Sequence, residues 1–506
     1  MRRFWLVLLI LPPVLALTIL PPFGQRLVTL IGIYALLGLG YQLVFGQLGA
    51  LNLAQGALFG VGAYTAALAI PSLGDFSMIA APLAAAAAAA LVAGPILRLQ
   101  SHYFALATLA LAALATLVAI NAESLTGGAN GLTGFGSAAA HAWLLMAVVW
   151  IVLIASVLAY AWLFSGPLGE TARLLREAPL AAATLGIDGA RWRFAAFVIG
   201  AAFAGFAGAC SASLSGVVSP EATGFPIMVI CLSSVVLGGV RHPMGAVLGA
   251  AVAVCLPELF RGLGGGWLLA YAVATLAVVL WAPQGLAGLI DRPPARAVPA
   301  LPEQFALARG ARRLVLDRVS KHFGGVEALI DVSLTIERGE VVGLIGPNGS
   351  GKTTLLSVIC GLERADSGTV VLDSTHLERL PAHLIARTGV GRTFQTPAAD
   401  ATRSAELARV LAGQPAFLLL DEPAAGMGDR ERERLADLLG KLRDAGRGVL
   451  IVDHDIELLS KVCDRLVCLD RGAIVAVGRP GEVRQDPKAR ASFLGLAAPV
   501  LSGAEG

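Results

Sequence analysis

Residues 346–353 read Gly346-Pro347-Asn348-Gly349-Ser350-Gly351-Lys352-Thr353. Glycines at this spacing let successive backbone N–H groups turn inward on a phosphate, and a helix starting at the end of the loop adds its dipole. Lys352 reaches β and γ phosphates, Thr353 ligates magnesium, and Thr354 follows on the first helical turn. The continuous apolar run Val341–Ile345 before the loop and the helical pattern after it supply the strand–loop–helix context this chemistry needs. A second apolar run, Phe417–Leu420, ends in Asp421-Glu422: Asp421 is suited to hold magnesium and Glu422 to polarise an attacking water. A third, Val449–Val452, delivers Asp453-His454, and a histidine at a strand end can contact the γ phosphate. Such a histidine alone is an ordinary polar cap; the two motifs upstream make it a site residue. The implied cofactors are ATP and Mg2+, and the implied activity is ATP hydrolysis.

These residues require an α/β domain, and the composition places one at 312–497 behind a Pro-rich linker, 291–311. The preceding 290 residues differ sharply, with scarce arginines and no lysine before Lys321. Apolar blocks at about 4–20, 27–45, 51–70, 77–97, 103–121, 141–164, 194–214, 224–240, 243–260 and 266–283 read as about ten membrane-spanning helices in residues 1–290, or eight if the short blocks 4–20 and 224–240 do not cross. With Arg2 and Arg3 inside, ten spans also place Arg98, Arg173, Arg176, Arg191, Arg193, Arg241, Arg292 and Arg296 on the cytoplasmic side, together with the C-terminal half. Small residues such as Gly56-Ala57, Gly60, Gly62-Ala63 and Gly208-Ala209 suit close helix packing in lipid, whereas the alanine tract 84–90 is either packing or low complexity. Asn52, Gln55, Asn121, Glu123 and Glu221 either line a pathway or hydrogen-bond between helices. The apolar start lacks a cleavage site and reads as a first span. Six cysteines without a CxxC pair read as reduced structural residues, and a net charge of +3 without a basic stripe gives no reason to expect nucleic acid.

Gly46-Gln47-Leu48 through Gly62-Ala63-Tyr64, Tyr103 to Leu109, Thr126 to Gly131 and the loop from Leu174 to Ile187 stand in an order that resembles the permease subunits of branched-chain amino acid ABC importers, over nearly all of 25–290. Residues 174–187 read as one amphipathic helix, either interfacial or a coupling helix transmitting force from an ATPase. The phosphate loop, Asp421-Glu422, His454, Gln395 within Arg392-Thr393-Phe394-Gln395, and Phe323 within His322-Phe323-Gly324-Gly325 resemble the ATP-binding subunits of the same importers. The resemblance implies that Phe323 stacks on adenine beside Val326, and that Gln395 senses magnesium and the attacking water while touching the permease. It implies a bacterial inner-membrane location with the ATPase in the cytoplasm. It also implies a periplasmic substrate-binding protein, a second permease subunit and a second ABC ATPase as partners.

One motif departs from that family. Only 25 residues separate Gln395 from Asp421, too few for a helical subdomain whose helices need about 10–14 residues each. The glycine-rich signature it should carry is absent, so the ATPase domain reads as truncated there and as needing a partner's signature to cap its nucleotide. Import of branched-chain amino acids is the leading expectation. The alternatives are a nucleotide-binding but transport-inactive protein, an importer for urea, amides or other amino acids, and an exporter, against which the short loops and Pro-rich linker argue.

Overall fold

The computed structural model describes residues 3–99, 101–135, 142–261, 266–290, 311–394 and 403–494. Gln395 and, but for Ala311, the expected linker lie outside them. The chain divides into two compact units: Met1–Arg176 with Ala190–Ala295, and Glu177–Gly189 with Arg296–Gly506.

In the first unit each apolar block is helical: Arg3–Thr18, Pro22–Tyr41, Gln55–Leu73, Ser77–Ile96, Ser101–Asn121, Ala142–Phe164, Gly189–Ser215, Phe225–Gly238, Gly245–Leu259 and Trp267–Trp281. A helix satisfies its own backbone groups, the condition for residence in hydrocarbon. Length separates them. Five stretches, Pro22–Gln47, Gln55–Ile96, His102–Asn121, Ala142–Phe164 and Gly189–Ser215, are long and apolar enough to cross a membrane. The second of these carries a single-turn break at Gly74–Phe76. Four further apolar helices are shorter than a span, not only the two short blocks, 4–20 and 224–240, expected from sequence. Glycine explains one of them: Gly239, at φ 120°, ends Phe225–Gly238 after 14 residues. At ~1.5 Å per residue this helix falls well below a ~30 Å hydrocarbon core.

Small residues set the packing. Ala81, Ala85, Ala89 and Ala93, one helical turn apart, are all fully buried. A Cβ at Gly205 would come within 2.6 Å of Ala85 Cβ, and one at Gly62 within 2.3 Å of the Gly205 Cα. The alanine tract is therefore a packing surface. Asn52 and Gln55 are buried and bonded: Asn52 Nδ2 donates to Gln55 Oε1 at 3.2 Å, and Gln55 Nε2 to the Gly200 carbonyl at 3.0 Å. Gln55 thus ties its helix to Gly189–Ser215, and Asn52 holds the Gln55 amide in place.

In the second unit a six-stranded sheet runs in the order Ala473–Gly478, Arg465–Asp470, Val341–Ile345, Gly448–Val452, Phe417–Asp421, Val390–Arg392. All its pairs are parallel except the outer one, 465–470 with 473–478. Three of the four inner strands, 341–345, 448–452 and 417–421, are buried at every position, as their unbroken apolar runs require of strands covered on both faces. A four-stranded antiparallel sheet, ordered Val326–Glu337, Arg313–Phe323, Ser367–Leu372, Thr375–His376, completes the unit. Residues 174–187 are not one helix. Ala178 leaves the helical region, at φ −144° and ψ 71°, so the chain forms Pro167–Glu177 and then Pro179–Thr184, with Pro179 in the first turn where its missing N–H costs nothing.

Candidate nucleotide site

Parallel pairing decides where the chemistry collects. The strands 341–345, 448–452 and 417–421 run in register, Leu344 beside Val452 and Val452 beside Asp421. Their carboxyl ends therefore release the phosphate-type loop, Asp453-His454 and Asp421-Glu422 at one edge of the sheet, the edge where open α/β sheets bind ligands.

The loop is shaped by glycines that have no substitute. Gly346 (φ 155°) would drive a Cβ to 2.1 Å from the Leu469 carbonyl, and Gly351 (φ 104°) to 2.4 Å from that of Ala328. Gly349 (φ 80°) faces open space and Asn348 is exposed, so this part of the loop is free to meet an incoming group. Ser350 is buried, its hydroxyl without a hydrogen-bond partner among the described residues. The helix Lys352–Ile359 starts directly after Gly351, with Thr353 exposed and Thr354 half-buried on its first turn. Lys352 is buried, and its ammonium donates to the carbonyls of Gly346 at 2.7 Å and Pro347 at 2.8 Å, curling the loop around a positive charge with one N–H left over. Burial lowers the Lys352 pKa, while Glu422 and Asp421 nearby pull it back up.

Asp421 closes its strand as a buried carboxylate, with Oδ2 held at 3.1 Å by Arg392 Nη2. Burial lifts the Asp421 pKa above its ordinary value, against the opposing pull of Arg392. Glu422 sits in the left-handed region at φ 46°, a strained conformation for a non-glycine residue, and its N–H donates to the Val452 carbonyl at 2.7 Å. Its Oε1 lies 3.0 Å from His454 Nε2. Asp453 supports the turn by accepting from the Ala424 N–H and the Asp455 N–H, each at 3.0 Å. Lys352, Asp421, Glu422 and His454 thus stand together at one edge of the sheet. Phe323 and Val326 pair across the tip of the hairpin 313–337, both exposed and with Lys321 Nζ 5.1 Å from the Phe323 ring centroid. Such an exposed apolar face suits stacking against a planar base.

The oxygen-only pair Thr353 and Asp421 suits a small hard cation such as magnesium. The described residues contain no group of three or more His, Cys, Asp or Glu able to hold a metal by themselves, so a cation here would be completed by phosphate and water. All six cysteines are free; burial pushes Cys463 up to about 12 and Cys468 up to about 11.

Two features carry no signal in the sequence. One is Arg392, whose guanidinium holds Asp421. The second unit also includes Glu177–Gly189. There Arg387 donates through Nε (3.3 Å) and Nη2 (3.2 Å) to the Gly186 carbonyl, and His383, one turn earlier, lies 3.6 Å from Asp188. Thr184 and Ala182 are buried, and Leu185 packs against the apolar cluster that includes Leu407 and Val410. No sequence signal marks His383 and Arg387, which look like ordinary charges on an exposed helix.

Comparison with known proteins gives the same division. Residues 25–282 match the family described as branched-chain amino acid transport system / permease component, and residues 329–406 match the ABC transporter family. The chain is 30% identical to the lipopolysaccharide export ATP-binding protein LptB of Escherichia coli over 233 residues, 36% of this chain and 97% of LptB. It is 31% identical over 250 residues to the high-affinity branched-chain amino acid transport ATP-binding proteins LivG of Salmonella typhimurium and BraF of Pseudomonas aeruginosa, in each case 36% of this chain and 98% of the relative. Since 36% of 506 residues is about 182, all three alignments run past stretches of the relative that have no counterpart here. The first unit is a membrane protein's permease, and the second is a transporter ATPase that binds ATP. The chain belongs to the branched-chain amino acid transport permease family and carries that permease in one polypeptide with an ABC transporter ATPase domain.

Proposed function

We propose that this chain couples ATP hydrolysis to the import of a small solute, branched-chain amino acids first, across the bacterial inner membrane, with its ATPase in the cytoplasm. The observation that carries the reading is the convergence of Lys352, Asp421, Glu422 and His454 at one sheet edge in a chain whose other half matches a permease.

In this reading Gly346, Asn348, Gly349, Ser350, Gly351, Lys352, Thr353 and Thr354 hold the phosphates, and Phe323 with Val326 holds the adenine. Magnesium, held by Thr353, Asp421 and Gln395, neutralises phosphate charge when bound. Glu422 polarises the attacking water, and His454, at 3.0 Å, orients the Glu422 carboxylate and reaches the γ phosphate. The packing of Pro179–Thr184 within the second unit supports a coupling role for residues 177–189.

Only residues 395–402 lie between Phe394 and the helix Arg403–Ala412. We read this as loss of the signature-bearing subdomain, in keeping with the unmatched stretches of LptB and LivG. The chain then needs a second ATPase carrying a signature, alongside a second permease subunit and a periplasmic binding protein. The same short connection favours a second reading, a nucleotide binder that does not transport. Proteoliposomes holding the chain with those partners decide: uptake of labelled leucine that needs internal ATP and disappears with Glu422→Gln supports import. ATP binding without turnover or uptake of any branched-chain amino acid, urea or amide, whatever the signature-bearing partner, establishes the second reading.

A further inference from the structure

Arg392 ends the short edge strand Val390–Arg392 and is 2% exposed, an unusual place for a guanidinium. Its contacts run to both halves of the metal side of the site. Nη2 donates to Asp421 Oδ2 at 3.1 Å, while Nη1 donates to Ser357 Oγ at 2.9 Å and approaches Cys360 Sγ at 3.4 Å. Ser357 in turn donates to the Thr353 carbonyl at 2.7 Å, one helical turn back. The ring of Phe394 lies 4.9 Å from the guanidinium carbon, and Nε has no hydrogen-bond partner among the described residues. A single side chain therefore links the strand end carrying Asp421 to the helix carrying Thr353.

We propose that Arg392 is a positioning residue for the magnesium of the nucleotide site, fixing Asp421 by one oxygen and the Thr353 turn through Ser357 so that the other Asp421 oxygen is presented to the cation. This rests on the reading of Thr353 and Asp421 as the metal side. Charge alone argues the reverse sign, since a guanidinium repels a second cation and its removal would tighten magnesium. Burial decides the balance. Asp421 is 4% exposed, and without Arg392 its carboxylate keeps no ion pair or side-chain hydrogen bond among the described residues and is free to leave the geometry that the metal requires.

The test is nucleotide binding by the full chain in detergent, read with a fluorescent ATP analogue in EDTA and across a magnesium titration. Arg392→Gln should bind the analogue in EDTA within about threefold of wild type, yet need roughly 10–100-fold more magnesium for half of the metal-dependent gain, the range for groups that orient metal ligands. Arg392→Lys, lacking the two-pronged fork, should recover only part of this. Ser357→Ala, which keeps the charge and cuts one anchor, should move the requirement the same way by less, and serves if Arg392→Gln does not fold. An unchanged or lowered magnesium requirement in either variant overturns the proposal, as does an equal loss in EDTA and in magnesium, which marks general structural damage. Wild-type binding that ignores magnesium, or a requirement untouched by Asp421→Asn, would instead overturn the site reading beneath it.

Discussion

Replacing Lys352 by alanine tests the nucleotide site most directly. The ammonium spends two hydrogen bonds on its own loop, at 2.7 and 2.8 Å to Gly346 and Pro347, and keeps one N–H for a phosphate. A hydrogen bond to a charged partner contributes about 1.5–3 kcal/mol, so losing the phosphate contact alone weakens ATP by about 10–150-fold. Loss of the two loop bonds acts in the same direction, because a loop no longer wrapped around a charge must be ordered when the phosphates arrive. The effect should depend on phosphate number. Calorimetric titration of the full chain should show the 10–150-fold loss for ATP, while AMP, without β and γ phosphates, stays within about twofold of wild type. If Lys352→Ala binds ATP within threefold of wild type, or loses AMP by the same factor, the phosphate-cradle account is wrong.

Glu422→Gln should keep ATP bound while turnover, measured with a signature-bearing partner, falls by about two orders of magnitude, as expected when general-base assistance is removed; the isolated wild-type chain should hydrolyse negligibly, and robust Glu422-dependent release of phosphate from it would refute the need for a partner. Burial raises Cys463 to about 12 and Cys468 to about 11, so their reactive thiolates are lost as pH falls below those values. At pH 8 even Cys468 is then only about 0.1% thiolate, and mass spectrometry should find both unmodified by maleimide in the native chain and modified once it is denatured. Single cysteines placed in 165–192 should be labelled only from the cytoplasmic side, and labelling from the periplasm would reverse the proposed topology. Arg387→Ala removes both donors to the Gly186 carbonyl; ATP turnover in the partnered complex should survive while uptake per ATP falls, and tightly coupled uptake in this variant would deny residues 177–189 a coupling role.

The membrane half and the nucleotide motifs were legible in the sequence because both depend on local physics. Hydrocarbon selects long apolar runs, and a phosphate loop must place glycines at fixed offsets where, as at Gly346 and Gly351, no Cβ fits. The strands ending at Ile345, Asp421 and Val452 were readable for a related reason: strands buried on both faces are apolar throughout. What sequence could not convey was distance between segments. The bond of Arg392 to Asp421 depends on the edge strand 390–392 pairing beside 417–421, and nothing in the residues themselves specifies that register. The break at Ala178 was hidden because the apolar spacing of 174–187 continues across it, although proline at 179 disfavours helix in the residue before it. The place of 177–189 within the second unit was hidden as well, since His383, Arg387, Gly186 and Asp188 carry no pattern until folding brings them within hydrogen-bond reach. Composition and motif spacing determined what this chain is built from and which atoms can do its chemistry; tertiary structure decided which charges face one another, because that follows from strand pairing and packing between residues about 200 positions apart.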